Sequence, residues 1–273
     1  MNNLDADVIR RNLNEATAAT LGRLEIFAAI DSTNSYLMQQ PAPAPGKMHV
    51  ALSDNQTAGR GRYGRSWQSP PGSGLCLSMA YTFVAPPSNL PALTLAIGLG
   101  AIAALRELNV SSVQLKWPND LIAMDGKLGG ILTEAQTQAG GTRTIVTGIG
   151  LNIDLKERQD AFLETVAGRR ATDLKSLVAE LPGWNRIAAG LISGLSKAIA
   201  KYEAGGFAAF RSQWSEYDWL FGREVTVDAS GRQITGTGAG IGDDGALLLD
   251  TLSGGRQRVT SGSVLMTGTR EPG

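Results

Sequence analysis

Between residues 56 and 67 the chain reads Gln-Thr-Ala-Gly-Arg-Gly-Arg-Tyr-Gly-Arg-Ser-Trp, with Arg60, Arg62 and Arg65 set among Gly59, Gly61 and Gly64. Gly59 to Gly64 satisfies the pattern G-x-G-x-x-G, which would dictate a dinucleotide-binding α/β sheet if its surroundings agreed. They do not. A Rossmann turn opens directly into a helix and is followed about twenty residues later by an acidic side chain. Here Arg65-Ser-Trp67 and a Pro70-Pro71-Gly72 turn come next, and no acid stands near Val84. The protein-kinase glycine loop fails because His-Arg-Asp and Asp-Phe-Gly are absent, and no Gly-Lys-Ser/Thr completes a phosphate loop. What remains is a segment whose like charges repel and whose glycines add no restraint. Such a loop is expected to be mobile until an anion gives its guanidinium groups something to share.

The rest of the composition makes that loop a local feature. The chain has 25 basic and 25 acidic residues, so no general pull toward nucleic acid or membranes is expected. Its 273 residues suffice for one large domain with a small appendage. The single cysteine, Cys76, sits in the apolar run Leu75-Cys-Leu-Ser-Met79 and reads as a core residue, with a reactive thiol as the alternative. One histidine, His49, and one cysteine cannot build a protein-held zinc site of the usual kind. No secretory signal is visible, and the apolar stretch Leu93–Leu105 is too short to span a bilayer. The expected location is cytoplasmic.

In chain order, residues 4–21 predict a short helix, Leu24–Ile30 a strand, and Asp31-Ser-Thr-Asn34 a cap for a helix over Ser35–Gln39. Strands are predicted at His49–Ser53 and Leu75–Phe83, and a long helix over Asn89–Leu108 in which Gly98 and Gly100 allow close packing on a sheet. A strand over Val113–Lys116 ends at Trp117-Pro118-Asn119-Asp120. Leu121–Met124 and Leu128–Glu134 flank an Asp125-Gly126-Lys127 turn, a hairpin signal, and Thr142–Ile153 forms a further strand. Residues 155–172 read as a mobile surface segment, followed by helices at about Asp173–Glu180, Trp184–Glu203 and Phe207–Tyr217. From Gly222 glycine-rich β pieces follow at Glu224–Val227, Ile234–Gly240, Ala246–Thr251 and Arg256–Val264, suggesting a small antiparallel barrel and a boundary near residue 220.

Five motifs occur in one order: Asp31-Ser-Thr-Asn34; Gln56-Thr-Ala-Gly-Arg-Gly-Arg62 with Trp67; Lys116-Trp-Pro-Asn-Asp120; Lys127-Leu-Gly-Gly-Ile-Leu132; and Gly148-Ile-Gly-Leu-Asn152. Together they make the chain resemble the biotin protein ligases (biotin–acetyl-CoA-carboxylase ligases) over nearly its whole length. The resemblance implies an α/β (α+β) fold: a mixed-sheet, class II synthetase-like catalytic domain over residues 1–220 and an SH3-like barrel over residues 221–273. Some bacterial members carry an N-terminal winged helix and repress biotin genes. This chain has no room for one, so repression is not implied. The implied reaction takes biotin and ATP, with Mg²⁺, to biotinyl-5′-AMP and pyrophosphate. The biotinyl group then passes to one lysine of a biotin carboxyl carrier protein or domain.

The same resemblance assigns residues. Ser32, Thr33, Asn34 and Gln56 hold or line the ureido ring, and Gly59, Arg60, Gly61 and Arg62 close over biotin. Lys116 bridges carboxylate and α-phosphate, with Arg60 assisting. Arg62, Arg65, Trp67, Asn119, Lys127, Gly148, Gly150 and Asn152 serve the adenylate, and Asp120 takes the proton of the acceptor lysine. No metal is held by the protein alone. Plainer readings stand beside these: Lys116 a solvated lysine at a sheet edge, Trp67 a core residue, Lys127 a turn lysine, Asp120 a structural cap. The rival readings are a lipoate ligase or acyltransferase of the same superfamily and a non-enzymatic biotin-sensing regulator. No nucleic-acid or membrane partner is expected, and a homodimer is left open.

Overall fold

A computed structural model describes residues 4–68, 70–85, 89, 91–137, 141–155 and 170–266. Most of the surface segment expected at 155–172 lies outside them. Two short helices, α1 (Ala6–Arg11) and α2 (Glu15–Thr20), replace the single N-terminal helix, because the Asn14 side chain accepts from the Thr17 N–H and starts a second helix there. Then come β1 (Leu21–Phe27), α3 (Thr33–Gln39), β2 (Met48–Ser53), β3 (Gly74–Thr82) and α4 (Pro91–Glu107). β4 (Gln114–Lys116), β5 (Asp120–Ala123), β6 (Gly126–Thr137) and β7 (Arg143–Asn152) complete one sheet. Its order is β1-β2-β3-β7-β6-β5-β4, with only β1 and β2 parallel, so it is the mixed sheet expected.

Alternation along the strands gives this sheet two unlike faces. Leu75, Leu77 and Met79 of β3, with Ile145, Ile149 and Leu151 of β7, enter the main core. That core packs beneath α4 and the long helix α5 (Trp184–Gly205). The two helices touch backbone to backbone: a Cβ on Gly100 would lie 2.6 Å from the Gly194 carbonyl oxygen. Gly98 does meet the sheet, at Leu115, but Gly100 serves the helix crossing instead. The opposite face carries Cys76, Ser78 and Ala80 on β3 and Val146, Gly148 and Gly150 on β7, partly covered by α3. Small residues leave this face low, and the candidate site lies on it.

Other boundaries moved for local reasons. The β5–β6 hairpin turns at Met124 and Asp125, both at positive φ (50° and 55°), one residue before the predicted turn. The predicted helix at 173–180 is only a 3₁₀ turn, Lys175–Leu177, because the Asp173 carboxylate ties Leu155 N–H and Ser176 N–H instead. The stretch 207–217 is a 3₁₀ turn, Phe207–Phe210, leading into α6 (Arg211–Tyr217). The C-terminal sheet contains β8 (Glu224–Ala229), β9 (Arg232–Ile241), β10 (Leu247–Asp250), β11 (Arg256–Val259) and β12 (Ser263–Met266), all antiparallel, in the order β11-β10-β9-β8-β12. The last predicted strand is thus two. At the junction the Asp218 carboxylate accepts from Trp214 Nε1 and Leu220 N–H, each at 3.0 Å, while Trp219 N–H donates to Leu115 O at 2.9 Å.

Candidate functional site

The start of α3 supplies the first group of side chains. Ser32 caps the helix, its hydroxyl accepting from Ser35 N–H at 3.3 Å. This pins Thr33 and Asn34, both nearly fully buried, over the low face of the sheet. Thr33 donates to Gln56 Oε1 through its N–H (2.7 Å) and its hydroxyl (3.0 Å), and that hydroxyl lies 2.7 Å from Ser78 Oγ. Ser78 donates to Asn34 Oδ1 at 2.6 Å. Asn34 Nδ2 in turn donates to Leu132 O and to Glu134 Oε2 (3.0 Å). Glu134 then grips Arg60: Nη2 reaches Oε1 at 2.7 Å and Nη1 reaches Oε2 at 3.2 Å. Gln56, Thr33, Ser78, Asn34, Glu134 and Arg60 thus form one unbroken polar chain. Ser78 and Glu134 are the members that sequence reading missed. A lone hydroxyl in the apolar run of β3, and a carboxylate ending the apolar run of β6, were the available signals.

The arginine loop is a small folded hairpin. Arg60 bridges to Ser66, Gly61 N–H donates to Arg65 O at 2.7 Å, and Trp67 N–H donates to Gly59 O at 2.9 Å. Gly59 is required by the close return of the chain, since a Cβ there would lie 2.3 Å from Trp67 O. The expectation of three mutually repelling arginines without partners is therefore corrected: each has one. Arg60 is neutralised by Glu134, Arg65 donates to Ser263 Oγ of β12 at 2.8 Å, and Arg62 lies 4.9 Å from the Tyr63 ring. Burial pushes the Arg62 guanidinium below its ordinary value, while Tyr63 and the nearby Asp120 carboxylate act in the opposite sense.

A second cluster lies beside the first. The Trp67 indole rests on β7, where a Cβ on Gly150 would lie 2.3 Å from its Cε2. Gly148 likewise makes room for Asn34, whose Oδ1 would be 2.3 Å from an added Cβ. The two glycines were expected to admit a nucleotide, but here they admit side chains of the chain itself. Lys127 Nζ lies 5.7 Å from the Trp67 ring and 2.7 Å from Asp120 Oδ1. The Asp120 carboxylate therefore has a cationic partner, which fits an ion-pairing role better than that of a base. Asn119 Nδ2 donates to Ile131 O and Asn152 Nδ2 to Lys127 O and Thr172 O, so both brace the hairpin. Among the described residues, Trp67 Nε1 and Asn152 Oδ1 are buried without a nitrogen or oxygen partner, the former lying against the Cys76 thiol. Burial pushes that thiol up to about 12, consistent with a core cysteine rather than a nucleophile.

Lys116 stands directly opposite Asp120 on the β4–β5 hairpin, but its hydrogen bond runs to the C-terminal sheet. It is 2% exposed, donates to Val264 O of β12 at 3.3 Å and lies 5.5 Å from the Trp219 ring. It is not a solvated edge lysine, and across the hairpin it faces Asp120, the ion-pair partner of Lys127. Its neighbour Trp117 precedes a cis Pro118 and donates from Nε1 to Gly245 O at 2.9 Å. This strand end is thus clasped by the C-terminal sheet. His49 accepts from Arg23 through Nδ1, with contacts of 3.0 and 3.3 Å, a structural role away from the polar chain.

Comparison with known proteins gives the family of the chain. Residues 26–152 match the biotin/lipoate A/B protein ligase family, and residues 220–266 match the biotin protein ligase C terminal domain. The bifunctional ligase/repressor BirA of Salmonella typhimurium is 34% identical over 247 residues, covering 90% of this chain and 73% of that protein. The biotin–[acetyl-CoA-carboxylase] ligase of Mycobacterium tuberculosis is 32% identical over 245 residues, covering 88% and 86%. Among solved structures, the biotin protein ligase from Aquifex aeolicus in complex with biotin and ATP superposes with a TM-score of 0.75 at 27% identity, covering 90% of this chain and 99% of that one. Among the described residues no helix is long and apolar enough to cross a membrane.

Proposed function

The chain belongs to the biotin/lipoate A/B protein ligase family, as a biotin protein ligase with its C-terminal domain, and from that premise we propose that it makes biotinyl-5′-AMP and biotinylates a carrier lysine. One observation carries this reading. The uncharged side chains of Thr33, Asn34 and Gln56, over Gly148, and the cluster of Trp67, Lys127 and Asp120, over Gly150, sit two residues apart along β7, about 7 Å. A ligand with a hydrogen-bonding ring at one end and a carboxylate at the other spans both.

The barrier of the first step is electrostatic, because a carboxylate must approach a polyanionic triphosphate. Thr33, Asn34 and Gln56 take the ureido ring; Lys127 and Arg62 offset charge where carboxylate oxygen bonds to the α-phosphorus and pyrophosphate departs. Lys127 shares the bridging role given to Lys116: both flank Asp120, Lys127 beside the Trp67 ring and Lys116 across the hairpin, and Lys127 is the one not bonded to the C-terminal sheet. Lys116 braces the strand end against β12. Trp67, packed on Gly150, gives the adenylate an aromatic surface to rest on. Among the described residues no cluster of three or more carboxylate, histidine or cysteine side chains could hold a metal, so Mg²⁺ would arrive with ATP; Asp120 would be the carboxylate near enough to help hold it, and the ion would supply neutralisation of charge on the pyrophosphate. In the second step the acceptor lysine, whose ordinary pKa is about 10.4, gives a proton to solvent, its amine attacks the acyl carbon, and the acyl–phosphate bond breaks with AMP leaving.

Biotin-dependent exchange of label between pyrophosphate and ATP, run beside the same assay with lipoate, tests the proposal. Exchange with biotin alone supports it. Exchange with lipoate alone selects the rival ligase, and none with either acid favours a binding protein that only senses biotin.

A further inference from the structure

Arg60 sits in a loop rich in arginines, yet its guanidinium is already committed. Both terminal nitrogens bond Glu134, and Nη1 also donates to Ser35 Oγ at 3.3 Å. A bidentate arginine–carboxylate pair is the most directional of ion pairs, and it consumes the edge that would otherwise fork onto a phosphate. Glu134 Oε2 also accepts from Asn34, whose second acceptor is the backbone carbonyl of Leu132. Because both partners of Nδ2 only accept, Asn34 must turn Oδ1 toward Ser78; with its own proton spent there, Ser78 accepts from the Thr33 hydroxyl, and the Thr33 N–H holds Gln56 Oε1. One carboxylate on β6 therefore ends two branches: the arginine loop and the ring-binding residues of α3.

We propose that Glu134 is a positioning residue that anchors the loop through Arg60, and that Arg60 is the loop's tether rather than one of its phosphate-binding cations. The ligand half of this proposal rests on the function given above; the tethering half does not. Anchored, the loop keeps Trp67 and Arg62 in place over the floor. Released, it opens and lets a bound adenylate escape.

A double-mutant cycle of E134Q and R60A tests it, with two readouts. In the protein without ligands, limited trypsin digestion within residues 60–65 should be roughly fivefold faster in E134Q, the loss expected of a partly exposed pair. In R60A, adding E134Q should change the rate of cleavage after Arg62 and Arg65 by less than about twofold. With biotin and ATP, release of the adenylate should accelerate by roughly the same factor in E134Q and show the same lack of additivity. Melting temperatures of all variants should stay within about 4 °C of the parent, separating loop release from unfolding. Multiplying effects in the double variant, or parental cleavage in E134Q, overturns the proposal. Non-additive cleavage without any adenylate in the parent protein leaves the tether standing and removes the ligase function instead.

Discussion

Gly150→Ala is the smallest change that tests whether Trp67 belongs to the site. The added methyl would lie 2.3 Å from Trp67 Cε2 and 2.6 Å from Nε1. Ordinary carbon contacts are about 3.5–4.0 Å, so something must move by about 1 Å or more. β7 cannot retreat, because Gly150 is paired to Cys76 on one side and Gly130 on the other. The indole moves instead, and the loop with it. Overpacking of this kind costs about 1–3 kcal/mol, or about 2–10 °C in melting temperature for a chain of this size. Displacing a surface that positions the reacting atoms by an ångström costs roughly a hundredfold in rate. We therefore expect biotin-dependent pyrophosphate exchange to fall about a hundredfold in a protein that still melts cooperatively. Combining Gly150→Ala with Trp67→Leu should restore the melting temperature but not the exchange. Full exchange in Gly150→Ala alone would refute the placement of Trp67 against the reacting centre.

Three further outcomes follow from the same geometry. Lys127→Ala should cut exchange by about 10²–10³, as for loss of one oxyanion donor, whereas Lys116→Met should stay within about tenfold of the parent and chiefly lower the melting temperature; the reverse pattern would give Lys116 the larger share of the bridging role. Ser78→Ala breaks the chain between Thr33 and Asn34 and should cost about 1–3 kcal/mol in stability while raising the KM for biotin more than it lowers kcat, a split that steady-state kinetics reads directly. His49 is held below the ordinary histidine value by burial first and Arg23 second. The unfolded chain therefore binds a proton that the folded one refuses. Its contribution to stability is present above the ordinary value of about 6.5 and is lost as pH falls through the folded value. Urea midpoints between pH 5 and 8 should fall on the acid side in the parent and less so in His49→Gln.

The sequence made the short motifs legible and left their partners obscure. Thr33, Asn34, Gln56 and Arg60 stood in segments whose polar residues had no reason to sit beside strands, and the structure joins them in one chain. The mixed sheet followed only from the resemblance, and its strand order is first seen in the structure. Ser78 and Glu134 were hidden because each sits in a run read as plain core strand; only pairing of β3 with β7 and β6 shows that they share a face. The choice between the two lysines was closed to sequence reading for a different reason. Lys116 is taken by Val264, 148 positions away, and no local pattern reports so distant a contact. The loop was misjudged by counting its charges alone, since the neutralising carboxylate lies 74 positions further on.

The central claim is that this site joins biotin to AMP and keeps the product. Incubating the protein with biotin and ATP, removing free ligands rapidly and identifying what remains bound by mass spectrometry tests it most directly. The account predicts biotinyl-5′-AMP retained on the protein, and its loss, with gain of one biotinyl group on a lysine, when a carrier domain is added. Recovery of unreacted biotin and ATP, or an adenylate formed with lipoate but not with biotin, would contradict it.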